Sequence, residues 1–167
     1  ARAPRGLTLQ AEERPGGATW CQCCRRSIAH APDTFHLMGF TRAELELYVG
    51  ATVEDLVGPE LRLLFVGINP GLWTAATQTH FASPGNRFYP ALRMAGIIER
   101  QIDRGVGMSD ADRAYLLDRG IGITNVAHRA TAKASQLSRE ELVAGGETLR
   151  AFVRAHQPRV VAVAGVT

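Results

Sequence analysis

Three short, strongly apolar segments alternate along the chain with stretches of helical patterning, and this alternation constrains the fold more than any other feature. The segments lie at residues 61–66, 121–124 and 160–164, and each has the length of a buried strand. Helix-start signals lie between them, such as the capping box of Ser138 and Glu141. The order strand, helix, strand, helix, strand predicts an α/β protein with three layers, α/β/α, and a central parallel sheet covered on both faces.

Local signals add helices to this outline. Residues 41–48 begin with a capping box and are predicted as a short helix, and the sequence at 52–55 predicts a further helical turn. From their start and stop signals, longer helices are expected over about 88–95, 109–120 and 138–157.

Residues 1–40 are rich in Arg, Pro, Gly and Cys and lack periodicity, so we predict a loosely structured extension before one domain at 41–167. The extension holds all the cysteines, which are Cys21, Cys23 and Cys24. An odd, clustered set does not make a disulfide framework, and we expect reduced thiols in a cytoplasmic protein. The cluster lacks the paired spacing of a structural zinc site, although His30 and His36 follow closely, so no metal is expected.

Charge and hydropathy limit the partners. The net charge is +3, and 19 basic residues include one lysine, Lys133, which leaves 18 arginines. This balance is compatible with a polyanion such as DNA, but the base composition of a genome explains it equally well. The apolar run at 160–167 is far shorter than the ~20 residues of a membrane span. Residues 1–20 also lack the apolar core of a secretory signal, so no membrane association is expected.

The carboxyl ends of parallel strands are where such sheets bind ligands. The first predicted strand leads into the turn Gly67-Ile-Asn-Pro-Gly71. Pro70 restrains Asn69, and Gly71 allows the backbone to approach a ligand closely. Asn69 is therefore expected to present a neutral amide that donates and accepts hydrogen bonds. No glycine-rich phosphate-binding pattern is present. The simpler alternative is that Asn69 only bonds its own turn.

Several side chains beyond this turn are candidates for binding. Residues 74–80 are small or polar and are interpreted as a loop, and Phe81 after them either stacks on a ligand or anchors the loop to the core. Arg87 lies at a predicted helix start, where it suits an anion, although a solvated Arg is equally plausible. His80 and His128 lie in predicted loops, where a histidine is more often exposed to solvent than catalytic.

These motifs resemble a known family when they are taken in order. Gly67-Ile-Asn-Pro-Gly-Leu72, then Phe81, then Pro84-Gly-Asn-Arg-Phe88 are similar to segments of the mismatch-specific uracil-DNA glycosylases and thymine-DNA glycosylases. The resemblance covers about residues 53–165 and does not include the first fifty.

The rest of the chain agrees with the same family. Gly122-Ile-Thr-Asn-Val126, with Arg129 and Thr131, resembles its second pocket segment. Glu141-Leu-Val-Ala-Gly-Gly146 and Gln157-Pro158 are similar to its long helix and the turn that follows.

The resemblance implies a fold, an activity and a partner. The fold is that of the uracil-DNA glycosylases, and the activity is hydrolysis of the N-glycosidic bond of uracil mispaired with guanine, with thymine and adducted cytosine as further candidates. The damaged nucleotide would be flipped out of the duplex. The implied partner is double-stranded DNA, bound by a monomer that needs no metal or other cofactor.

The resemblance also implies roles for individual residues. Asn69 matches the catalytic asparagine that positions water below the sugar, Phe81 matches the aromatic that stacks on the flipped base, and Asn125 matches a residue that hydrogen-bonds the base. Other implied pocket residues are Ile68, Gly71, Thr74 and Thr131, of which Thr131 is also expected to help hold the water. Contacts to DNA phosphates are expected from Arg87, Arg129 and Lys133.

Particular features of this sequence lead to further expectations. Asn cannot act as a general base, so slow turnover is expected. Thr74 is larger than serine or alanine and would crowd the 5-position of a pyrimidine, so uracil should be preferred over thymine. The family carries a Pro-Ser loop after the third strand that these residues lack, so we expect a domain truncated at its C-terminal end.

Two other functions remain open on the sequence. The chain could be a non-catalytic module that binds mismatches or abasic sites, in which case Asn69 would affect affinity and no abasic product would form. It could also hydrolyse small nucleosides, in which case free deoxyuridine would be cleaved.

Overall fold

The computed structural model describes residues 39–105 and 107–165. Most of the predicted extension at 1–40 lies outside the described residues, together with Cys21, Cys23, Cys24, His30 and His36. In chain order the described elements are α1 (Arg42–Glu46), β1 (Leu63–Gly67), α2 (Leu72–Thr77), α3 (Phe88–Met94), α4 (Asp110–Asp118), β2 (Ile121–Asn125), a 3-10 turn (Ala134–Gln136), α5 (Arg139–His156) and β3 (Val160–Val163).

The three strands form one parallel sheet in the order β2-β1-β3. Leu63, the first residue of β1, pairs with Ile121 of β2 on one side and with Val160 of β3 on the other. Because β1 is central and all strands run the same way, their carboxyl ends meet at one edge of the sheet. The predicted parallel α/β arrangement is confirmed.

Helices pack on both faces of β1, which gives the predicted three layers. One face carries a buried core drawn from α3, α4 and β2: Tyr89, Leu92, Leu116, Ile121 and Ile123. The opposite face of β1 packs against α5 through Leu64, Val66, Leu149, Phe152 and Val153. Alternate residues of β1 thus serve opposite layers, as the two-residue period of a strand requires.

Capping hydrogen bonds fix the helix starts where the sequence places them. Ser138 N donates to Glu141 Oε2 over 2.8 Å, and Glu141 N donates to Ser138 Oγ over 3.1 Å, which completes the predicted capping box of α5. Thr41 and Glu44 make the same reciprocal pair at α1. Removing such a cap typically costs about 0.5–2 kcal/mol.

Two local predictions were wrong because hydrogen bonding overrides local composition. Residues 52–55 form no helical turn: Thr52 lies in an antiparallel bridge to Arg129, and the backbone just beyond pairs with the far edge of β2. The segment read as a polar loop at 74–80 begins inside helix α2. There the hydroxyl of Thr77 donates to the carbonyl of Trp73 over 2.8 Å, so a polar side chain is satisfied within the helix.

The third strand forms as predicted but is not buried. Its residues Val160, Val161 and Val163 are 40–55% exposed. In the described part of the chain β3 pairs with β1 alone, so it is an edge strand whose side chains lack a covering layer.

Candidate functional site

A cleft of about 560 Å³ lies at the carboxyl edge of the sheet. Its volume falls within the range of about 300–1,000 Å³ that is usual for small-molecule sites. Among the residues that line it are Ile68, Asn69, Gly71, Thr74, His80, Phe81, Arg87, Asn125 and Gly165. All the site residues predicted from the sequence line this cleft except Thr131, Arg129 and Lys133.

Backbone pairing continues past the ends of β1 and β2 and holds the two loops side by side. The amides of Val126 and Ala127 donate to the carbonyls of Gly67 and Ile68, each over 2.9 Å. Farther along, the amide of Thr131 donates to the carbonyl of Pro70 over 3.2 Å. The loop that carries Asn69 is therefore fixed against the loop that follows Asn125.

The side-chain NH₂ of Asn69 is anchored by protein oxygens. Nδ2 lies 2.9 Å from the carbonyl oxygen of Pro70, 3.2 Å from that of Arg129 and 2.7 Å from Thr131 Oγ1. Asn69 thus bonds its own turn, as the simpler alternative supposed, and also bonds the second loop. Its Oδ1 accepts no hydrogen bond from the described residues, which leaves a carbonyl oxygen of fixed orientation on a cleft-lining side chain.

Thr131 is buried behind Asn69 and does not line the cleft. Its hydroxyl donates to the carbonyl oxygen of Lys133 over 2.8 Å and accepts from Asn69 Nδ2. Because the hydroxyl proton is already used, the geometry favours a role in orienting the Asn69 amide over direct contact with water.

Asn125 and His80 form a second buried pair, at 5% and 4% exposure. Asn125 Nδ2 lies 3.4 Å from His80 Nδ1, and His80 Nε2 lies 2.9 Å from the carbonyl oxygen of Glu54. Burial lowers the pKa of His80 below its ordinary 6.5. The expectation of a solvent-exposed histidine was wrong here, and a sequence signal was lacking because its partners are remote along the chain. His128 instead lies half-buried, with Nε2 3.3 Å from Asp55 Oδ1.

Phe81 adopts an unusual backbone conformation, with φ +56°. Its ring stacks on Phe88 at a centroid distance of 4.0 Å and an interplanar angle of 24°. A β-carbon added at Gly67 would lie 2.5 Å from Asn125 Oδ1 and 3.7 Å from Phe81 Cζ. Gly67 is thus needed so that the Asn125 amide can approach the end of β1 closely, whereas Phe81 would remain at an ordinary van der Waals distance.

The predicted phosphate contacts differ in availability. Arg87 is exposed at the start of α3 and has no carboxylate partner among the described residues, and Lys133 is also exposed. Arg129, in contrast, makes a two-pronged ion pair with Glu141 at 2.8 and 3.0 Å. This guanidinium, with the backbone amide of Ser138, lowers the pKa of Glu141 to about 2. The geometry therefore favours Arg129 as a clamp between the second loop and α5 rather than as a phosphate contact.

Residues 39–105 and 107–165 offer neither a metal site nor a membrane-spanning helix. They contain no group of three or more His, Cys, Asp or Glu side chains placed to hold a metal ion. None of their helices has the length and apolar character needed to cross a membrane.

The part of the chain that contains the cleft matches a known family. Residues 54–167 match the family model described as Uracil DNA glycosylase superfamily. The match covers more than half of the chain and includes all three strands and every residue of the cleft described above.

Proposed function

The chain belongs to the uracil DNA glycosylase superfamily, and from this premise we propose that it excises uracil mispaired with guanine from duplex DNA. Superfamily membership assigns it DNA glycosylase activity on uracil, an activity of base excision repair. The preference for a G·U mismatch and the residue roles below are the proposal.

The observation that carries the proposal is the anchoring of Asn69. Both protons of its amide nitrogen point to protein oxygens, so its Oδ1 is available as an acceptor of fixed orientation. A water molecule donating to Oδ1 would be held beneath the C1′ atom of a sugar bound over the cleft. A water that is already held in place loses less entropy when the transition state forms, and the reaction is faster for that reason.

The reaction needs no strong base. The bond between C1′ and N1 breaks first and leaves its electron pair on the uracil ring, while positive charge develops on the sugar as in other glycoside hydrolyses. The water oxygen then bonds to C1′, and its surplus proton passes to solvent. Asn69 contributes position and not proton transfer, and the missing proton acceptor corresponds to a rate about 10²–10⁴-fold below that with a general base.

The opposite part of the cleft suits a flipped base. The face of Phe81 not covered by Phe88 would stack on the pyrimidine, and a mispaired base costs less to extrude than a paired one. Asn125 would hydrogen-bond the base edge, with Ile68, Gly71 and Thr74 around the ring. The buried side chain of Thr74 supports a preference for uracil, because a 5-methyl group would compete for its space.

Duplex DNA would be held by exposed cations at the mouth of the cleft. Arg87 lines the cleft and is uncommitted to any carboxylate of the described residues, and Lys133 lies exposed on the neighbouring loop. We propose these two as phosphate contacts of a protein that acts as a monomer.

The test is alkali-revealed strand cleavage of a G·U duplex by the wild type, Asn69→Ala and Gln101→Ala. Gln101 is an exposed amide outside the cleft and serves as the matched control. We expect cleavage by the wild type and the control and a strong loss in Asn69→Ala. Equal cleavage by all three would remove Asn69 from the mechanism.

The same samples test the alternatives. Tight binding of the mismatch without abasic product would favour a non-catalytic binding module. Cleavage of free deoxyuridine at the rate of the duplex would favour a nucleoside hydrolase.

A further inference from the structure

We propose that His80 is a positioning residue that holds the Asn125 amide in one orientation and thereby makes the cleft select uracil over cytosine. The inference deepens the proposed function and rests on it for the identity of the base. It rests on two observations: His80 is buried, and its ring hydrogen-bonds the side-chain amide of Asn125, which lines the cleft.

The chemistry of the partners determines the tautomer of His80. The carbonyl oxygen of Glu54 can only accept a hydrogen bond, so His80 Nε2, at 2.9 Å, must carry a proton. In a neutral imidazole the other nitrogen, Nδ1, is then an acceptor. The Asn125 atom 3.4 Å from Nδ1 must accordingly be the donor Nδ2 and not the acceptor Oδ1.

The surroundings keep this ring neutral. Burial is the largest influence on the pKa of His80 and lowers it below 6.5, and the charges of Arg113 and His128 act in the same direction. The Glu54 carbonyl and the carboxylate of Asp55 act against them without reversing the outcome. At neutral pH, Nδ1 therefore keeps its lone pair.

An amide pinned in this way offers a fixed pattern to a base. One N–H of Asn125 is used by His80, so Oδ1 and the second N–H remain for the cleft. Uracil presents an N3–H donor beside carbonyl acceptors, which this pair of groups can satisfy. Cytosine presents an N3 acceptor beside an amino donor, and pairing with it requires the amide to turn over.

Turning the amide over would place Asn125 Oδ1 against the lone pair of His80 Nδ1. Two acceptors would then face each other in a buried position, and neither would have a donor. Leaving buried groups unpaired in this way corresponds to about a 10- to 100-fold loss in rate for the wrong base.

Two substitutions separate the two hydrogen bonds of His80. In His80→Asn the side-chain oxygen can occupy the place of Nδ1, which preserves an acceptor for Asn125 but loses the bond to Glu54. In His80→Gln the longer amide can reach the Glu54 carbonyl but leaves nothing at the place of Nδ1. Both variants replace the imidazole by an uncharged amide, so they serve as controls for each other.

The first readout is the ratio of single-turnover excision rates for uracil and cytosine, each opposite the same abasic-site analogue so that base pairing does not contribute. We expect the ratio to fall about tenfold or more in His80→Gln and to be largely retained in His80→Asn. A ratio unchanged in His80→Gln, or lost equally in both variants, would overturn the proposal.

The second readout is the ¹⁵N NMR spectrum of the histidine rings, which distinguishes a protonated from an unprotonated nitrogen without any substrate. We expect His80 with a proton on Nε2 alone at neutral pH, and a proton on Nδ1 would overturn the proposal. Because this measurement needs no activity, a wild type that excises no base would contradict the proposed function while the tautomer still tested the geometry of His80 and Asn125.

Discussion

The cleft contains two asparagines that begin from the same position in the fold and end with different chemistry. Asn69 follows β1 and Asn125 ends β2, so both lie at the carboxyl edge of the sheet. The amide nitrogen of Asn69 contacts three protein oxygens, whereas that of Asn125 contacts one histidine nitrogen. One asparagine therefore retains only an acceptor, and the other retains an acceptor and a donor.

The strand ends bring both asparagines to the cleft. The neighbouring groups then determine which atoms of each amide remain free to bind a ligand. A lone acceptor is suited to hold a water that donates to it. A donor beside an acceptor is suited to read the edge of a base. The residue type is the same, so the second loop and His80, which provide the partners, are what distinguish the two roles.

Replacing each asparagine by alanine should produce the largest contrast. We expect Asn69→Ala to lower the single-turnover excision rate by about 10²-fold, because the water loses its fixed acceptor and with it its position. Binding of free uracil, measured by calorimetry, should be unchanged in that variant. Asn125→Ala should weaken uracil binding by about 10-fold or more, since hydrogen bonds to the base are lost. Equal losses of binding in both variants would show that the two roles are not separate.

Gly67→Ala should disturb Asn125 and spare Asn69. The added β-carbon would lie 2.5 Å from Asn125 Oδ1, closer than real contacts of this kind, so the amide must move. We expect a loss of about 1–3 kcal/mol in the free energy of unfolding, measured by urea titration. Gly71→Ala is the control, because its β-carbon would meet nothing within 4 Å and its φ of −77° suits any residue. Similar losses in both variants would argue against the contact with Asn125.

Most of the fold could be predicted from the sequence because its signals are local. The capping box at Ser138 and the apolar runs that became β1 and β2 act over a few residues, and each formed within a few residues of its predicted bounds. The exposure of β3 could not be predicted in the same way, because the burial of a strand depends on which elements lie beside it. For the same reason, the pairing of Thr52 with Arg129 overrode a local helix signal.

The same distinction between local and remote signals applies to the site. The turn motif around Asn69 was visible as a run of unusual residues, and so was Phe81. The pairing of His80 with Asn125 joins positions 45 residues apart, and that of Arg129 with Glu141 competes with a phosphate role that charge alone suggests. The sequence identified most of the residues that reach the cleft, but it misjudged Thr131 and His80, and it did not show which atoms remain free there.

Thr131→Val should weaken the anchor of Asn69 without changing the shape of the site. The substitution removes the oxygen 2.7 Å from Asn69 Nδ2 and keeps nearly the same volume. We expect the excision rate to fall about tenfold, the equivalent of one lost hydrogen bond of about 1 kcal/mol or slightly more. Thr131→Ser keeps the hydroxyl and should retain most of the rate. A Thr131→Val enzyme as fast as Thr131→Ser would show that Asn69 does not need this partner.

Thr74→Ala should relax base selection while both asparagines stay in place. Thr74 is buried on α2 and lines the cleft, so its removal opens space beside a bound pyrimidine. We expect the ratio of uracil to thymine excision opposite guanine to fall about tenfold, the low end of the range of about 10–200-fold that one methyl group is worth in an apolar pocket. Comparable excision of uracil and thymine by the wild type would contradict the crowding that this prediction assumes.

The smallest effect should come from acid, which acts on the partner of Asn125 but not on those of Asn69. The pKa of His80 is lowered below 6.5 in the folded protein, so below about pH 6.5 the unfolded chain binds a proton that the folded chain does not. The free energy of unfolding should therefore fall as the pH decreases from 6.5, by at most about 1.4 kcal/mol per pH unit for one proton.

Urea titrations between pH 5 and 7 measure this slope, which should be smaller in His80→Asn, where that proton site is gone. The anchors of Asn69 are two carbonyls and a hydroxyl that do not titrate in this range. If the wild type and His80→Asn lost stability in parallel, the slope would have to arise from other groups, and His80 would not be held neutral by its burial.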